Sequence, residues 1–280
     1  MIRLEPEIGA DLPTVWFTHD HLPDQRFRLW MPEGFYRARK TAPAVAWGEH
    51  GAVRCWYTTV WPGEDPFELT TEVIAEENQI LLSVAVRALP HENSQLDLWR
   101  YRGVTLGPCL ALKDAPMFHQ GRGERTYLAL ERGLTAAADT RRLTMPGWDG
   151  WFRNVQTYMK RAYVDLRDGQ YHSRFEDPRL VRTERGHPIG WGISPDLLAE
   201  PFICTEAVEG GYSIATFWQP GLSCSVNLND DPHCIHAHPV IDEMGVGDTC
   251  NVRGKIYLAH MPAPAMLERY ESEPDWRHGD

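Results

Sequence analysis

The run DDPHCIHAHPVIDE, residues 230–243, gathers three histidines, a cysteine and several carboxylates. If its middle is extended, Cys234, His236 and His238 point to one face and Ile235 and Ala237 to the other, because side chains alternate along a strand. The apolar pair would enter a core and leave two imidazoles side by side on the opposite face. Two neutral imidazoles at i and i+2 can converge on one metal ion without backbone distortion. They suit proton transfer equally, since an unperturbed imidazole titrates near physiological pH. Pro232 and Pro239 bracket the run and predict a short strand, placed at an edge. The plain alternative is a polar loop in which His236 is hydrogen-bonded to backbone.

Other residues could join such a site. His119, in MFHQGRGER, stands beside Arg122 and Arg125 at an expected strand-to-loop transition, as a second general base or a third metal ligand. Glu49 and His50 follow Trp47 in the glycine-flanked stretch WGEHG, a binding edge or an ordinary hairpin turn. Trp191 lies between two glycines in IGWGIS, and Trp218 ends a strand pattern in ATFWQPG; both could present a ring to a ligand. Eleven tryptophans, ten tyrosines and nine phenylalanines supply aromatic surface for a core and for sugar stacking alike.

The elements that must hold these groups read as mostly β. Phe67, Leu69, Thr71, Val73 and Ala75 alternate with polar residues, EENQ supplies a turn, and ILLSVAVRA continues, which predicts a hairpin. VRCWYTTVW before it and LDLWRYRGVTL after it have strand composition. PFICTEAV, the turn EGG, YSIATFW, LSCSVNL and NVRGKIYLA form a second group at short spacing. Many short strands between Gly, Pro, Asn and Asp turns predict an all-β sandwich or barrel. Two helices are expected. One runs from Trp151 to Leu166, where apolar residues recur at helical spacing before Gly169. The other is PAMLERYESE, within residues 262–274. Residues 114–150 are rich in Gly, Pro and polar side chains and read as a loop-heavy crossing segment in one domain spanning residues 1–280.

Composition narrows the function classes. The net charge of −11 opposes phosphate backbones and anionic lipid. The most basic stretch, Lys160 to Arg185, interleaves Asp165, Asp168, Glu176, Asp177 and Glu184 with its cations, so nucleic acid is excluded as a partner. No apolar run reaches membrane-spanning length, no leader pattern opens the sequence, and the six cysteines form no CxxC pair. The expectation is a cytoplasmic protein with reduced, mostly buried thiols. GxSxG, GxxxxGK[ST] and HExxH are all absent from the sequence, which removes the hydrolase elbow, P-loop and zincin readings.

Two resemblances add to this reading. His236, His238 and Glu243 stand in an H-x-H-x4-E spacing that resembles the first metal motif of the cupins, with GVGDTCNVRG similar to a glycine-bounded cupin turn. More of the chain resembles bacterial galactose-mutarotase-like β-sandwich proteins. The stretches concerned are GPCLALKDAPMFHQ, GWGISPDLLAEPFICTEAVEGGYSIATFWQPG, CIHAHP and GDTCNVRGKIYLAHMPAPAMLERY, together roughly residues 45–270. That resemblance implies an antiparallel supersandwich whose concave face binds carbohydrate, and proton transfer by His and Glu at an anomeric carbon or C5. The leading expectation is therefore an epimerase, mutarotase or lyase acting on a sugar or uronate, without a cofactor. Its acid/base groups would be His236, His238 and His119, with Glu49, Trp47, Arg122, Trp191 and Trp218 binding substrate. The alternatives are a metal enzyme built on His236, His238 and Glu243, and a non-catalytic carbohydrate-binding protein.

Overall fold

The computed structural model describes residues 1–35, 43–61, 66–90, 104–141, 155–161, 164–167, 170–173, 192–230, 233–241, 245 and 247–273. Strands β1 (Ile2–Pro6), β2 (Thr14–His19) and β3 (Leu22–Phe35) open the chain as an antiparallel meander. They form because Ile2, Leu4, Val15, Phe17, Phe27, Leu29 and Met31 recur at every second position and are all buried. Strands β4 (Ala44–His50), β5 (Arg54–Trp61), β6 (Phe67–Ala75) and β7 (Gln79–Ala88) make a second meander, in which the alternation of β6 is the cleanest.

Strand β8 (Val104–Ala111) pairs with β3. The stretch expected to be loop-heavy then holds two one-turn helices, α1 (Pro116–His119) and α2 (Arg122–Arg125), followed by the hairpin β9 (Thr126–Leu130) and β10 (Gly133–Ala136). Strand β11 (Val155–Met159) replaces the first half of the helix expected over 151–166, and β12 (Val164–Arg167) pairs with β13 (Gln170–Ser173) where its end was expected. The helical spacing of Val155, Tyr158 and Met159 misled because all five residues of β11 are buried, so both faces of the strand demand bulk. Strands β14 (Gly192–Ile193), β15 (Leu198–Glu206), β16 (Ser213–Gln219), β17 (Gly221–Asn227), β18 (Cys234–Ile241) and β19 (Thr249–Ala259) follow, and α3 (Ala263–Ser272) comes last. Gly210 and Gly211 both hold positive φ in the EGG turn between β15 and β16, where a Cβ would be strained.

The strands assemble into two large sheets. One runs β1-β2-β3-β8-β18-β17-β11-β14 and the other β10-β9-β15-β16-β19-β7-β6-β5-β4. Apart from the short β11–β14 pair, their pairings are antiparallel. The chain is thus a large antiparallel β-sandwich with peripheral helices. Apolar residues of both sheets meet in one cluster that includes Phe17, Phe27, Val84, Leu110, Trp218, Ile235 and Ile256. Each large side chain buried there contributes about 1.5–3 kcal/mol. A bond from the Tyr57 hydroxyl to the Met31 carbonyl, 2.7 Å, ties the sheets across that layer.

The two outer faces differ. On the second sheet, Ala263, Met266 and Tyr270 of α3 pack on Phe202, Phe217 and Tyr257. On the first sheet, the outer face carries Cys109, Ala111 and Cys234 with Trp30 against them, and it is there that the histidine run lies. Among the described residues no helix is long and apolar enough to cross a membrane.

Candidate functional site

Strand β18 lies inside its sheet, between β8 and β17, not at the edge that its prolines predicted. Pro239 is accommodated because the pairing with β17 shifts register beside it, between Gly221 and Ser223, so no regular ladder bond is missing. Ile235 and Ala237 enter the core, as the alternation requires, and Cys234, His236 and His238 share the outer face.

The register then lines residues from five strands into one row. Trp30 of β3 pairs with Cys109 of β8, and the adjacent Ile235–Leu110 pair sets Cys109 opposite His236. His236 faces Ser225 of β17, which faces Thr157 of β11. Beside the Trp30 end, the Arg28 guanidinium lies 3.9 Å from the Trp30 ring and 5.0 Å from that of Trp16, and the Arg26 guanidinium lies 4.2 Å from the Trp16 ring. Half-buried Trp16 and Trp30 thus form an aromatic and cationic platform along one side of the row.

The two imidazoles stack with centroids 5.6 Å apart and planes 13° from parallel. Nδ1 of His236 lies 3.0 Å from the Pro108 carbonyl, and Nδ1 of His238 lies 3.3 Å from that of Leu106. A carbonyl only accepts, so both Nδ1 atoms carry the proton, and in a neutral ring Nε2 keeps the lone pair. Nε2 of His236 is 3.0 Å from Cys234 Sγ, and Nε2 of His238 is 3.1 Å from Ser225 Oγ. Ser225 Oγ is in turn 2.8 Å from Thr157 Oγ1. A chain of exchangeable protons therefore runs Thr157, Ser225, His238. His236 is 1% exposed, whereas His238 is half-buried. Burial first, and the neighbouring His236 second, push His238 down to about 3, so it is neutral at physiological pH.

The remaining predicted residues disperse. His119 sits at the end of α1, and its ring partner is His233, at 5.4 Å. His233 immediately precedes β18 and is fully buried, yet among the described residues neither of its nitrogens has a hydrogen-bond partner. Nδ1 of His119 and Nη1 of Arg122 are likewise unpartnered, while another Arg122 nitrogen bonds Asp230. Burial, then His119 and Arg122, push His233 down to about 3; burial and Arg122 lower His119. Arg125 donates to the Ala207 carbonyl at 3.2 Å.

Glu49, His50 and Trp47 lie on β4, at the far edge of the second sheet, and so belong to a different layer from His236. Glu49 and His50 are exposed, and Trp47 packs on Tyr57 at 4.6 Å. Trp218 is a correction: it is fully buried between the sheets, lying over Gly254, whose added Cβ would come 2.6 Å from the indole, so it offers no ring to a ligand. Its strand ends at the surface, but its face points inward. Trp191 and Glu243 fall outside the described residues.

The cupin-like ligand pair is not formed either, because Nε2 of His238 turns to Ser225 while that of His236 turns to Cys234. Among the described residues, the group that converges is Cys109, Cys234 and His236, all buried, with ligand atoms within 4.8 Å of one another. Sequence reasoning passed over Cys109, Ser225, Thr157, Trp16 and Trp30. The only signal was their alternation within strands, which says nothing of who faces whom.

No family model matches the chain, and no curated protein does. Among solved structures, it is similar to a provisionally named aldose 1-epimerase from Escherichia coli K12, at 8% identity and TM-score 0.41, covering 92% of this chain and 99% of that one. It is also similar to a galactose mutarotase related enzyme from Lactobacillus acidophilus, at 9% identity and TM-score 0.36, covering 93% and 98%. Values this low carry no weight for function, and the architecture rests on the strand pairing itself.

Proposed function

We propose that the outer face of the first sheet binds a carbohydrate and that His238 moves a proton on it, as in epimerisation, mutarotation or β-elimination at a sugar or uronate. One observation carries the reading. His238 is a half-buried imidazole, less enclosed than His236, with its tautomer fixed by a backbone carbonyl and its lone-pair nitrogen already on a hydroxyl. A sugar hydroxyl taking the place of Ser225 would give up its proton to the same nitrogen, and the Thr157–Ser225 pair offers a path for returning one. Trp16 and Trp30 add ring faces beside the row, and Arg28 adds a cation suited to a uronate carboxylate. His236, the first choice from sequence, becomes the positioning residue: it is buried and stacks on His238.

The test is a panel of free aldoses and uronates, followed by NMR for anomer exchange and C5 inversion and by ultraviolet absorbance for unsaturated products. The unaltered chain should accelerate one of these, and His238→Ala should lower the rate by about 10²–10⁴-fold. Failure to turn over any member sinks the catalytic reading. Sugar binding that survives combined loss of His119, His236 and His238, with no product, would assign a non-catalytic carbohydrate-binding protein instead.

A further inference from the structure

We infer that Cys109, Cys234 and His236 form a binding site for a thiophilic d10 ion, zinc(II), on the outer face of the first sheet. This goes beyond the carbohydrate reading and does not rest on it. The pleat places Cys234 and His236 on one face at i and i+2, and the β8–β18 register brings Cys109 up opposite His236 from the neighbouring strand. Two sulfurs and one imidazole are a soft donor set of the kind that selects zinc over magnesium or calcium.

The dimensions fit. With Zn–S near 2.3 Å and Zn–N near 2.05 Å, the edges of a tetrahedron are about 3.5 Å for S···N and about 3.8 Å for S···S. Cys234 Sγ and His236 Nε2 stand 3.0 Å apart, and all three donor atoms fall within 4.8 Å of one another. Shifts of a few tenths of an ångström on each side chain therefore reach ligation distance. The imidazole is also set as a ligating ring needs to be: Nδ1 donates to the Pro108 carbonyl, leaving Nε2 directed at the sulfur. Such an outer hydrogen bond fixes the tautomer of metal-bound histidines generally. Among the described residues, Cys55, Cys204 and Cys224 belong to no such group of converging ligand atoms. Zinc binding would release the two thiol protons to solvent as both sulfurs become thiolates.

The experiment uses the full-length, untagged chain, reduced and stripped with a chelator, then loaded with zinc(II) or cobalt(II) alone. One zinc per chain should survive dialysis, loading should release protons, and the cobalt form should show thiolate-to-metal charge transfer with tetrahedral d–d bands. C109S/C234S should lose the zinc, and His236→Gln should weaken it, whereas Cys250→Ser should keep both metal and spectrum. Zinc content no higher in the unaltered chain than in C109S/C234S overturns the site. So does a cobalt spectrum without thiolate charge transfer, which is read on the unaltered chain and decides even if a variant fails to fold. A Cys109–Cys234 disulfide that, once reduced, leaves a protein retaining no metal overturns it too.

Discussion

The pairs His236–His238 and His119–His233 use the same side chain at nearly the same ring spacing, 5.6 and 5.4 Å, and their hydrogen bonding is opposite. In the first pair all four ring nitrogens are engaged. In the second, both nitrogens of His233 and Nδ1 of His119 are unpartnered among the described residues. The reason is position within the sheet. His236 and His238 lie mid-strand, where β8 delivers the carbonyls of Leu106 and Pro108 and β17 delivers a serine, all at fixed register. His119 ends the one-turn helix α1 and His233 stands just before β18, outside the ladder, and among the described residues no partner reaches His233 or Nδ1 of His119. A satisfied imidazole contributes a defined proton position, while a buried unsatisfied one costs about 1–3 kcal/mol. Two histidine pairs of like ring spacing are thus a candidate site and a packing contact.

The contrast can be broken in several ways. The largest expected effect is on rate: the about 10²–10⁴-fold loss in His238→Ala is about 3–5 kcal/mol of barrier, against less than about tenfold for His119→Ala. Equal losses at both positions would erase the distinction. Next is stability. His236→Leu removes two hydrogen bonds from a buried ring and should lower unfolding free energy by about 2–4 kcal/mol in urea titration. His233→Leu removes an imidazole with no bonds to lose and should leave stability unchanged or raise it by about 1 kcal/mol. A loss as large as that of His236→Leu would mean that His233 has a partner in solution.

The smallest effect is electrostatic. Burial and the Arg122 charge lower the His119 pKa, so the unfolded chain binds its proton more readily than the folded one. The resulting loss of stability sets in as pH falls below about 6.5, the unfolded value. Removing the Arg122 charge in Arg122→Gln should move the His119 midpoint upward in an NMR titration and shrink that acid-side loss. A midpoint that stays put would show that burial alone sets it.

How much was legible in the sequence depended on period and on composition. Strand β6, buried at Phe67, Leu69, Thr71, Val73 and Ala75 with mostly polar residues between, announced itself by alternation, as did β5 and β7, whereas β16 and β17, buried on both faces, were legible only as strand-forming runs between turn residues. Strand β11 did not, because a strand buried on both faces has no period of two to show. Trp218 ended a recognisable strand, but nothing local says which of two faces its ring takes or that Gly254 makes room for it. In the candidate site, the division of Cys234, His236 and His238 from Ile235 and Ala237 followed from the pleat alone. Cys109, Ser225, Thr157 and Trp30 could not be joined to them, since they stand from 11 residues (Ser225) to 206 residues (Trp30) away from His236 in sequence and no local pattern says which strands pair.

The sequence by itself determined that the chain is mostly β and that, if residues 234–238 are extended, Ile235 and Ala237 share one face and Cys234, His236 and His238 the other, because period and composition act through neighbouring residues. Only the tertiary structure decided that His119 belongs to another pair, that Trp218 is core, and that Cys109 and Ser225 complete the row. Those outcomes depend on strand order and register, which are set by the fit of whole faces across a sheet and between sheets.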